Sequence, residues 1–239
     1  MALYDSKDAV IYTNQYEITE YTTEASLAGA RPLHEATTFG DGGATFAPAV
    51  ETATFSWTGF YDDGASGSEV ILNALKGATS ESVVSYAPAG DSISSLVMAS
   101  GNAWVTEPTT DASVGSLVGM SANFNLGEAT RSKSTGAKST VTATTSGTSI
   151  DDASSSSSGG SWIYHVLAVS ASGGNAQWQV KFQHSSNNSS WTDITSVNIS
   201  AVGAAKTAFT GTFNRYVRQR VVLDASSGSI TFAVSYNRA

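Results

Sequence analysis

Hydrophobic and polar residues alternate with a period of two along much of the chain, a pattern that is typical of β-strands with one buried face. The clearest case is QWQVKFQ, in which Trp178, Val180 and Phe182 alternate with glutamine and lysine. Residues 215–223 and 229–236 repeat this one-sided pattern. These segments are separated by turns rich in Gly, Ser and Asn, so the pattern predicts the strands of a β-sandwich.

A second type of strand is predicted where both faces are apolar. Residues 161–169 read SWIYHVLAV, which indicates a central strand that is covered above and below. In the first half of the chain, residues 52–59, 95–99 and 117–126 are the clearest strand candidates. The chain is therefore predicted to be mainly β throughout.

One short helix interrupts the strands. Ser66 and Glu69 have the spacing of a capping box, and they precede EVILNALK, which carries an apolar stripe. Gly77 follows as a left-handed helix stop. The predicted fold class is mainly β with two β-sandwich domains, the first of which has one short flanking helix.

Two stretches are expected to be irregular. Residues 37–51 are rich in Gly and contain the isolated aromatics Phe39 and Phe46, which suits a long loop that docks on another surface. Residues 145–161 are polar and of low complexity, and we expect a loop inside the second domain. The linker is then placed in residues 127–138.

The charge changes sign near residue 130. Residues 1–130 hold sixteen Asp and Glu against three Lys and Arg, a net charge of −13, and residues 131–239 have a net charge of +5. The predicted domains are accordingly 1–130 and 131–239. The acidic half should repel nucleic acid, and the basic half lacks the clustered Lys and Arg of a phosphate-binding groove. Specific DNA binding is therefore disfavoured.

The sequence offers little catalytic chemistry. It contains no cysteine, which excludes disulfides, thiol nucleophiles and thiolate metal sites. The three histidines, His34, His165 and His184, lack the close spacing of metal ligands on one element, and His165 is best interpreted as a core residue with satisfied hydrogen bonds. We expect no enzymatic activity, no cofactor and no metal.

Two acidic pairs have two interpretations. Asp62 with Asp63, and Asp151 with Asp152, could bind a cation or act as paired carboxylates, or could serve turn chemistry alone.

No apolar run approaches the ~20 residues of a membrane span, and the first residues lack a leader pattern. We therefore expect a soluble, unsecreted chain that makes no membrane contact.

The aromatic residues of the second half suggest a further alternative. A flat face of a β-sandwich can stack sugar rings, and Trp191, within the polar stretch HSSNNSSWTDI, is the candidate for exposure. A carbohydrate-binding or adhesin-type module is thus the alternative function. A hydrolase would be favoured only if substitution of His184 or Asp193 abolished an activity.

Several segments together have a family likeness. FSWTGFYDDG (55–64), VVSYAPAG (83–90) and SVGSLVGMSANFNLGEATR (113–131) resemble the core domain of phage tail tube proteins of the siphovirus type. WQVKFQHSSNNSSWTDITSV (178–197), FNRYVRQRVV and SITFAVSYNR resemble the Ig-like sandwich domain that many such proteins add at the C-terminus. The resemblance covers most of the chain.

The resemblance implies a structural role in a virion. Such subunits form hexameric rings that stack into a tail tube, after assembly in the host cytoplasm. Implied partners are other copies of the chain and the tape measure, tail terminator and distal tail proteins. Phage DNA would pass through the lumen without specific binding, because carboxylates lining the lumen repel phosphates.

The same resemblance gives the irregular segments a role in contacts between subunits. In tail tubes an N-terminal arm and a long loop reach a neighbouring subunit, and here Tyr12, Tyr16, Phe39 and Phe46 would be the anchors. The alternative is that these aromatics fold back on their own domain. The second domain would project outward, either as a structural decoration or in contact with a cell surface.

Overall fold

The computed structural model describes residues 6–30, 33–36, 44, 46–48 and 51–239. Within these ranges the chain is mainly β, with one α-helix and two short 3₁₀ helices, Ser6–Asp8 and Thr19–Tyr21. The predicted mainly β fold class is confirmed, with two sheets in a sandwich-like arrangement and one α-helix.

The elements follow one another in chain order. The elements up to the helix are β1 (Val10–Thr13), β2 (Tyr16–Glu17), β3 (Thr22–Ala30), β4 (Leu33–Glu35), β5 (Phe46–Pro48), β6 (Thr52–Phe60) and α1 (Ser68–Lys76). The middle elements are β7 (Ser82–Ala87), β8 (Leu96–Val105), β9 (Thr109–Asp111), β10 (Gly119–Leu126), β11 (Thr130–Ser134), β12 (Ser139–Val141), β13 (Thr145–Ser146) and β14 (Ile150–Asp151). The last are β15 (Gly160–Ser172), β16 (Gln177–Ser185), β17 (Thr192–Ile199), β18 (Gly203–Phe209), β19 (Tyr216–Asp224) and β20 (Ser227–Arg238).

The chain divides into two compact units. The larger unit consists of residues 1–20, 83–101 and 130–239, and the smaller unit consists of residues 21–82 and 102–129. One boundary lies between Ala129 and Thr130, where the charge changes sign, but the larger unit also takes two segments from the first half of the chain. The division of the chain at residue 130 into separately folding domains stays a prediction.

The larger unit is a sandwich of two sheets. In the first sheet, strands of this unit have the order β18-β15-β20-β11-β8, and in addition β12 pairs with β20, β7 with β8, and β1 with β7 and β2. The second sheet has the order β13-β19-β16-β17, with β14 paired to β19. β20 therefore lies between β15 and β11, paired over most of its length with β15. The neighbouring strands of each sheet are antiparallel, as the alternation of one buried and one polar face predicts.

The sandwich core is built from the side chains that the period-two pattern singled out. Trp178, Val180 and Phe182 of β16 pack with four residues of β20. Those four residues are Ile230, Phe232, Val234 and Tyr236. β19 contributes Val217 and Val221 to the same core. The predicted one-sided strands are confirmed.

β15 is covered on both faces, as predicted. Trp162 and Val166 face the sandwich core. Ile163, on the opposite face, packs with Val83 and Val97 in a second apolar cluster. A strand that is apolar on both sides therefore holds two layers of the larger unit together.

His165 lies on this second face and is a core histidine with both ring nitrogens satisfied. Nε2 lies 2.8 Å from Ser85 Oγ and Nδ1 lies 2.8 Å from the carbonyl oxygen of Asn14. The side chain is almost completely buried. Burial lowers the pKa of His165 to about 4, because the charged imidazolium would lose its hydration. The prediction that His165 is a satisfied core residue is confirmed.

The buried His165 should make the fold sensitive to acid. Because its pKa is about 4 in the folded chain and about 6.5 when unfolded, the unfolded state binds more protons between these values. This contribution to stability is complete above pH 6.5 and falls by about 3 kcal/mol as the pH drops to 4. Urea unfolding of wild type and His165→Gln across this pH range is the measurement, since glutamine keeps a donor and an acceptor without titrating.

The wild type should lose more stability than His165→Gln over that range. Carboxylates that titrate in the same range are common to both proteins, so they cancel in the comparison. Parallel curves of unfolding free energy against pH would contradict the assignment.

The smaller unit is built on one antiparallel sheet. β6 pairs with β3 on one side and with β10 on the other, and β10 also pairs with β9 and with the end of β8. One face of this sheet is buried, where the rings of Phe55 and Phe124 lie 5.5 Å apart on paired positions. α1 contacts β10. The hairpin of β4 and β5 belongs to the same unit.

The helix is present and ends at Lys76 before Gly77, as predicted, but the predicted N-cap and the predicted conformation of Gly77 are wrong. Its N-cap is Gly67, which has no side chain to cap the helix, and Ser66 lies outside the helix. The hydroxyl of Ser68 instead donates to Phe60 O at 2.7 Å, which ties the helix start to the end of β6. Gly77 has a φ of −77° and donates to Asn73 O, so it continues the helical geometry and is not a left-handed stop.

The predicted linker in residues 127–138 is also wrong in part. β11 occupies Thr130–Ser134 and pairs with β8 on one side and β20 on the other. The sequence TRSKS lacks large apolar residues, so its local pattern gave no strand signal, and the pairing is made by neighbours distant in sequence. The polar stretch 145–161 does lie within the larger unit, where β13 and β14 each pair with β19.

Candidate assembly surface

The smaller unit carries most of the negative charge of the protein. It holds eleven Asp and Glu against Arg31 and Lys76, a net charge of −9, and the larger unit has a net charge of +1. Arg31 lies outside the described residues. Lys76 is paired with Glu107 at 2.6 Å. The described part of the smaller unit therefore presents no unpaired cation to a phosphate group.

Most residues on the exposed face of the sheet are uncharged and polar. That face, which we call the polar sheet face, alternates with the buried positions of β3, β6 and β10. Its central residues are Ser26, Thr54, Ser56, Thr58, Ser121, Asn123 and Asn125. Glu24, opposite Thr58, and Asp111, opposite Gly119, add two carboxylates, and the partly exposed rings of Phe60 and Trp104 lie on the same face. Ser56 Oγ donates to Asn123 Oδ1 at 2.7 Å, so the centre of the face is a ladder of uncharged hydrogen-bonding groups.

An exposed apolar loop connects β9 to β10. We call residues 112–118 the apolar tip, since Val114 is fully exposed and the exposed fraction of Leu117 is 75%. The backbone N–H of Tyr61 donates to Val118 O at 3.0 Å, and this bond joins the base of the loop to the end of β6. Gly115 has a φ of +86°, a conformation that favours glycine in a turn.

The apolar tip continues onto the end of β6. Phe60 is partly exposed at 44%, it pairs with Gly119 across the sheet, and Tyr61 follows it. A cluster of exposed aromatic and aliphatic side chains on one loop and its flanking strand is typical of a protein contact surface. The sequence analysis missed this feature. It placed Leu117 and Val118 at the start of a predicted strand, whereas β10 begins at Gly119, and Val114 lies between Ser113 and Gly115 without any periodicity.

The predicted anchors have different surroundings. Tyr12 is buried in its own unit, where its hydroxyl donates to Asp91 Oδ2 at 2.6 Å, and burial raises the pKa of this phenol. Tyr12 thus folds back on its own unit, which is the alternative given for these aromatic residues in the sequence analysis. Its ring is not available as an anchor. Tyr16 is half-buried in β2 opposite Thr13, and Phe46 in β5 is 55% exposed. Phe39 lies outside the described residues, and Tyr16 and Phe46 stay predicted contacts.

The acidic pairs serve local structure. Asp62 Oδ1 accepts the N–H of Gly64 at 2.9 Å, which is the turn chemistry that favours Asp in loops. Asp151 accepts two hydrogen bonds of 2.6 Å from Arg215, and these bonds lower the pKa of Asp151 to about 2. Among the described residues, no group of three or more His, Asp or Glu side chains could hold a metal ion.

Asp152 is a buried carboxylate inside a network of the larger unit. It pairs with Lys133 at 2.6 Å and with Arg238 at 2.8 Å, and it accepts a hydrogen bond from Tyr236 at 3.0 Å. Burial alone would raise the pKa of Asp152, but the hydrogen bonds from Lys133 and Arg238 outweigh burial and lower it. This network joins β11, β20 and the loop after β14, and sequence analysis missed it because its members are distant in sequence.

The remaining histidines and Asp193 do not meet as a catalytic group among the described residues. His184 Nδ1 accepts the backbone N–H of Asn214 at 3.1 Å, and burial lowers the pKa of His184. Asp193 pairs with Lys181 at 2.6 Å. His34 lies in β4, and its side chain is outside the described residues.

When the chain is compared with known proteins, the similarities found are to solved structures. No family model matches the chain, and no curated protein matches it. A chain in the virion of a native gene transfer agent particle is 11% identical with a TM-score of 0.44, over 54% of this chain and 98% of that one. A chain in the tail of an empty particle of that kind has a TM-score of 0.41, with the same identity and coverage.

A third similar structure is the Dit protein of SPP1, described as a paradigm of the hub adsorption apparatus in phages that infect Gram-positive hosts. It is 10% identical with a TM-score of 0.36, over 94% of this chain and 98% of that one.

Across the described residues of this chain, no helix is long and apolar enough to cross a membrane.

Proposed function

We propose that the protein is a structural virion protein, the major tail tube subunit of a siphovirus-type phage tail. Its smaller unit would form hexameric rings, and the rings would stack into a tube for the passage of DNA. Its partners would be other copies of the chain and the tail proteins at both ends of the tube. The observation that carries the proposal is the smaller unit, with a net charge of −9 and no unpaired cation in its described part.

The physical reason is electrostatic. A conduit for DNA must not hold phosphates, since each Lys or Arg that pairs with a phosphate releases counterions and adds affinity. The described part of the smaller unit offers one cation, Lys76, and Glu107 neutralises it. The surrounding carboxylates repel a polyanion over about one Debye length, which is about 8 Å at physiological salt.

The polar sheet face is the proposed lining of the lumen. Its hydroxyl and amide groups stay hydrated and carry no fixed charge, and Glu24 and Asp111 on the same face repel phosphates, so DNA would meet a surface that does not bind it. Carboxylates of the loops, such as Asp63, would supply further repulsion. This arrangement refines the expectation of a lumen lined directly by carboxylates.

The apolar tip is the proposed contact between neighbouring subunits. Val114 and Leu117 would bury their exposed surface on a second copy of the chain, at a gain of about 25 cal/mol for each Å² removed from water. Tyr16 and Phe46 are retained as additional contact candidates. A loop that carries apolar side chains outside its own core needs such a partner to avoid contact with water.

Negative-stain electron microscopy of the purified protein over a range of concentrations tests the proposal. Rings or hollow tubes that become more numerous with concentration are the expected result, with sedimentation velocity as the solution measurement. A chain that remains monomeric at every concentration would argue against self-assembly, and it would favour the alternative of a carbohydrate-binding module.

A further inference from the structure

The outer face of the second sheet of the larger unit carries a cluster of cations. Arg218 and Arg220 alternate along β19 with the buried residues Val217, Gln219 and Val221, so both side chains point away from the sandwich core. Residues two apart on one strand face are about 7 Å apart. The two guanidinium groups therefore lie side by side on one surface.

Arg218 is held in place by two contacts. Its guanidinium carbon lies 4.1 Å from the centre of the Trp191 ring, a cation–π distance, and its Nε donates to Gln183 Oε1 at 2.9 Å. These contacts leave the two terminal nitrogens of Arg218 without a hydrogen-bond partner among the described residues. A guanidinium that is already oriented loses less entropy when it binds a ligand.

Arg220 lies directly opposite Lys181 on the neighbouring strand. Two like charges at such a position destabilise a sheet. Lys181 is compensated by Asp193 at 2.6 Å. Arg220 makes no hydrogen bond or ion pair with any described residue, although the charge of Arg220 contributes to the lowered pKa of Asp193. Lys181, Arg218, Arg220 and Asp193 together have a net charge of +2, and the other carboxylate on this face of β19, Asp224, lies four residues beyond Arg220 and bonds to Asn175 and Gln177.

Uncharged donors and acceptors surround these cations. Gln179 Nε2 donates to Asn198 Oδ1 at 3.1 Å on the same face. Gln183 is buried, and its amide supports the charged groups by bonding to Arg218 and Asp193. Sugar hydroxyls both donate and accept hydrogen bonds, and the side-chain amides of Gln179 and Asn198 contain both kinds of group. The combination of amides, one aromatic ring and two guanidinium groups therefore fits a carbohydrate that carries carboxylates.

We propose that this face, defined by Lys181, Trp191, Arg218 and Arg220, binds an acidic glycan, with a uronate carboxylate on the two arginines and sugar hydroxyls on the neighbouring amides. This function goes beyond assembly of the tube, since it belongs to the other unit of the chain. It gives Trp191 a defined role, which is to orient Arg218 beside the sugar. Trp191 is half-buried beneath that guanidinium, so it is not the freely exposed stacking platform that the sequence suggested.

Isothermal titration calorimetry with an oligogalacturonate of about six residues, at low salt, tests the proposal. The full chain should bind this probe. Arg220→Gln and Arg218→Gln should each weaken the binding about tenfold, which is the loss expected for one charge-assisted hydrogen bond. Trp191→Ala should weaken it as well, because Arg218 loses its support.

Arg131→Gln is the matched control. Arg131 is an exposed cation on β11 in the other sheet, and this substitution removes the same charge as Arg218→Gln or Arg220→Gln. Unchanged affinity of this variant supports a specific site. An equal loss in this variant, or no loss in Arg220→Gln, would overturn the proposal. The circular dichroism spectrum and melting temperature of each variant show that the fold is intact.

Three further probes separate the kind of ligand. A methyl-esterified galacturonate should bind much more weakly, because it has lost the carboxylates. A single-stranded oligonucleotide of equal charge that binds as tightly as the glycan would show a general anion surface and overturn the glycan proposal. Competition of the glycan with self-association, measured by sedimentation velocity, would instead assign the face to a second copy and would also overturn the proposal. Failure of glycan binding with intact tubes leaves the assembly proposal untouched.

Discussion

Replacing both Val114 and Leu117 by serine is expected to abolish rings and tubes while the melting temperature stays unchanged. Val114 is fully exposed and Leu117 is 75% exposed, so neither contributes to the core of the smaller unit. Surface substitutions of this kind change stability by about 0.5 kcal/mol or less. If the apolar tip makes the contact between subunits, its loss acts on assembly alone, which electron microscopy and sedimentation velocity measure directly.

The matched control is the double variant Ile93→Ser with Val202→Ser. These two residues have exposed fractions of 42% and 47%, and both lie in the larger unit. The control replaces two partly exposed aliphatic side chains without touching the tip, and it should assemble as the wild type does. Normal tubes from the tip variant, or equal loss of tubes in the control, would refute the role of the tip.

A second large effect is expected for Phe182→Ala in the sandwich core. The Phe182 ring is fully buried and its centre lies 5.3–5.9 Å from the ring centres of four aromatic neighbours. These neighbours are Trp162, Phe209, Phe213 and Tyr236. Truncation should lower the free energy of unfolding by about 3–5 kcal/mol, because it removes buried apolar surface and leaves a cavity. That is a large part of the about 5–15 kcal/mol by which a typical native protein is stable.

Equilibrium unfolding in urea, followed by tryptophan fluorescence, measures the loss. Phe60→Ala removes the same atoms from a partly exposed site at the end of β6 and should cost far less. Phe182→Leu keeps most of the buried volume and should fall between the two. Equal losses for Phe182→Ala and Phe60→Ala would mean that the aromatic cluster does not carry the stability assigned to it.

The sequence pattern predicted the strands whose apolar residues repeat at every second position. β16, β19 and β20 were predicted in this way, since the buried face of each strand selects large apolar side chains, and β15 was predicted from a run that is apolar on both faces. The pattern could not predict β11, whose residues are small or charged, because its place depends on pairing with β8 and β20. It could not predict the composition of the two units either, since grouping residues 1–20 with β7 and β15 depends on contacts distant in sequence.

Prediction of the candidate site was less complete. The concentration of carboxylates in the first half was visible from composition, and it proved to lie mainly in the smaller unit. Tyr12 was chosen as an anchor because it lies in a terminal segment, but its hydroxyl has an internal partner in Asp91 that no local pattern reveals. Arg218 and Trp191 are 27 positions apart, so their stacking could be found in three dimensions alone.

The position of β20 within its sheet has a consequence for biosynthesis. β20 comes after all the other strands in chain order. It nevertheless lies between β15 and β11 and contributes four side chains to the core. The larger unit therefore cannot close until residues 227–238 have left the ribosome. A nascent chain interrupted earlier would expose the unpaired edges of β15 and β11, which are aggregation-prone. Only chains translated through residue 238 could then complete the core of the larger unit.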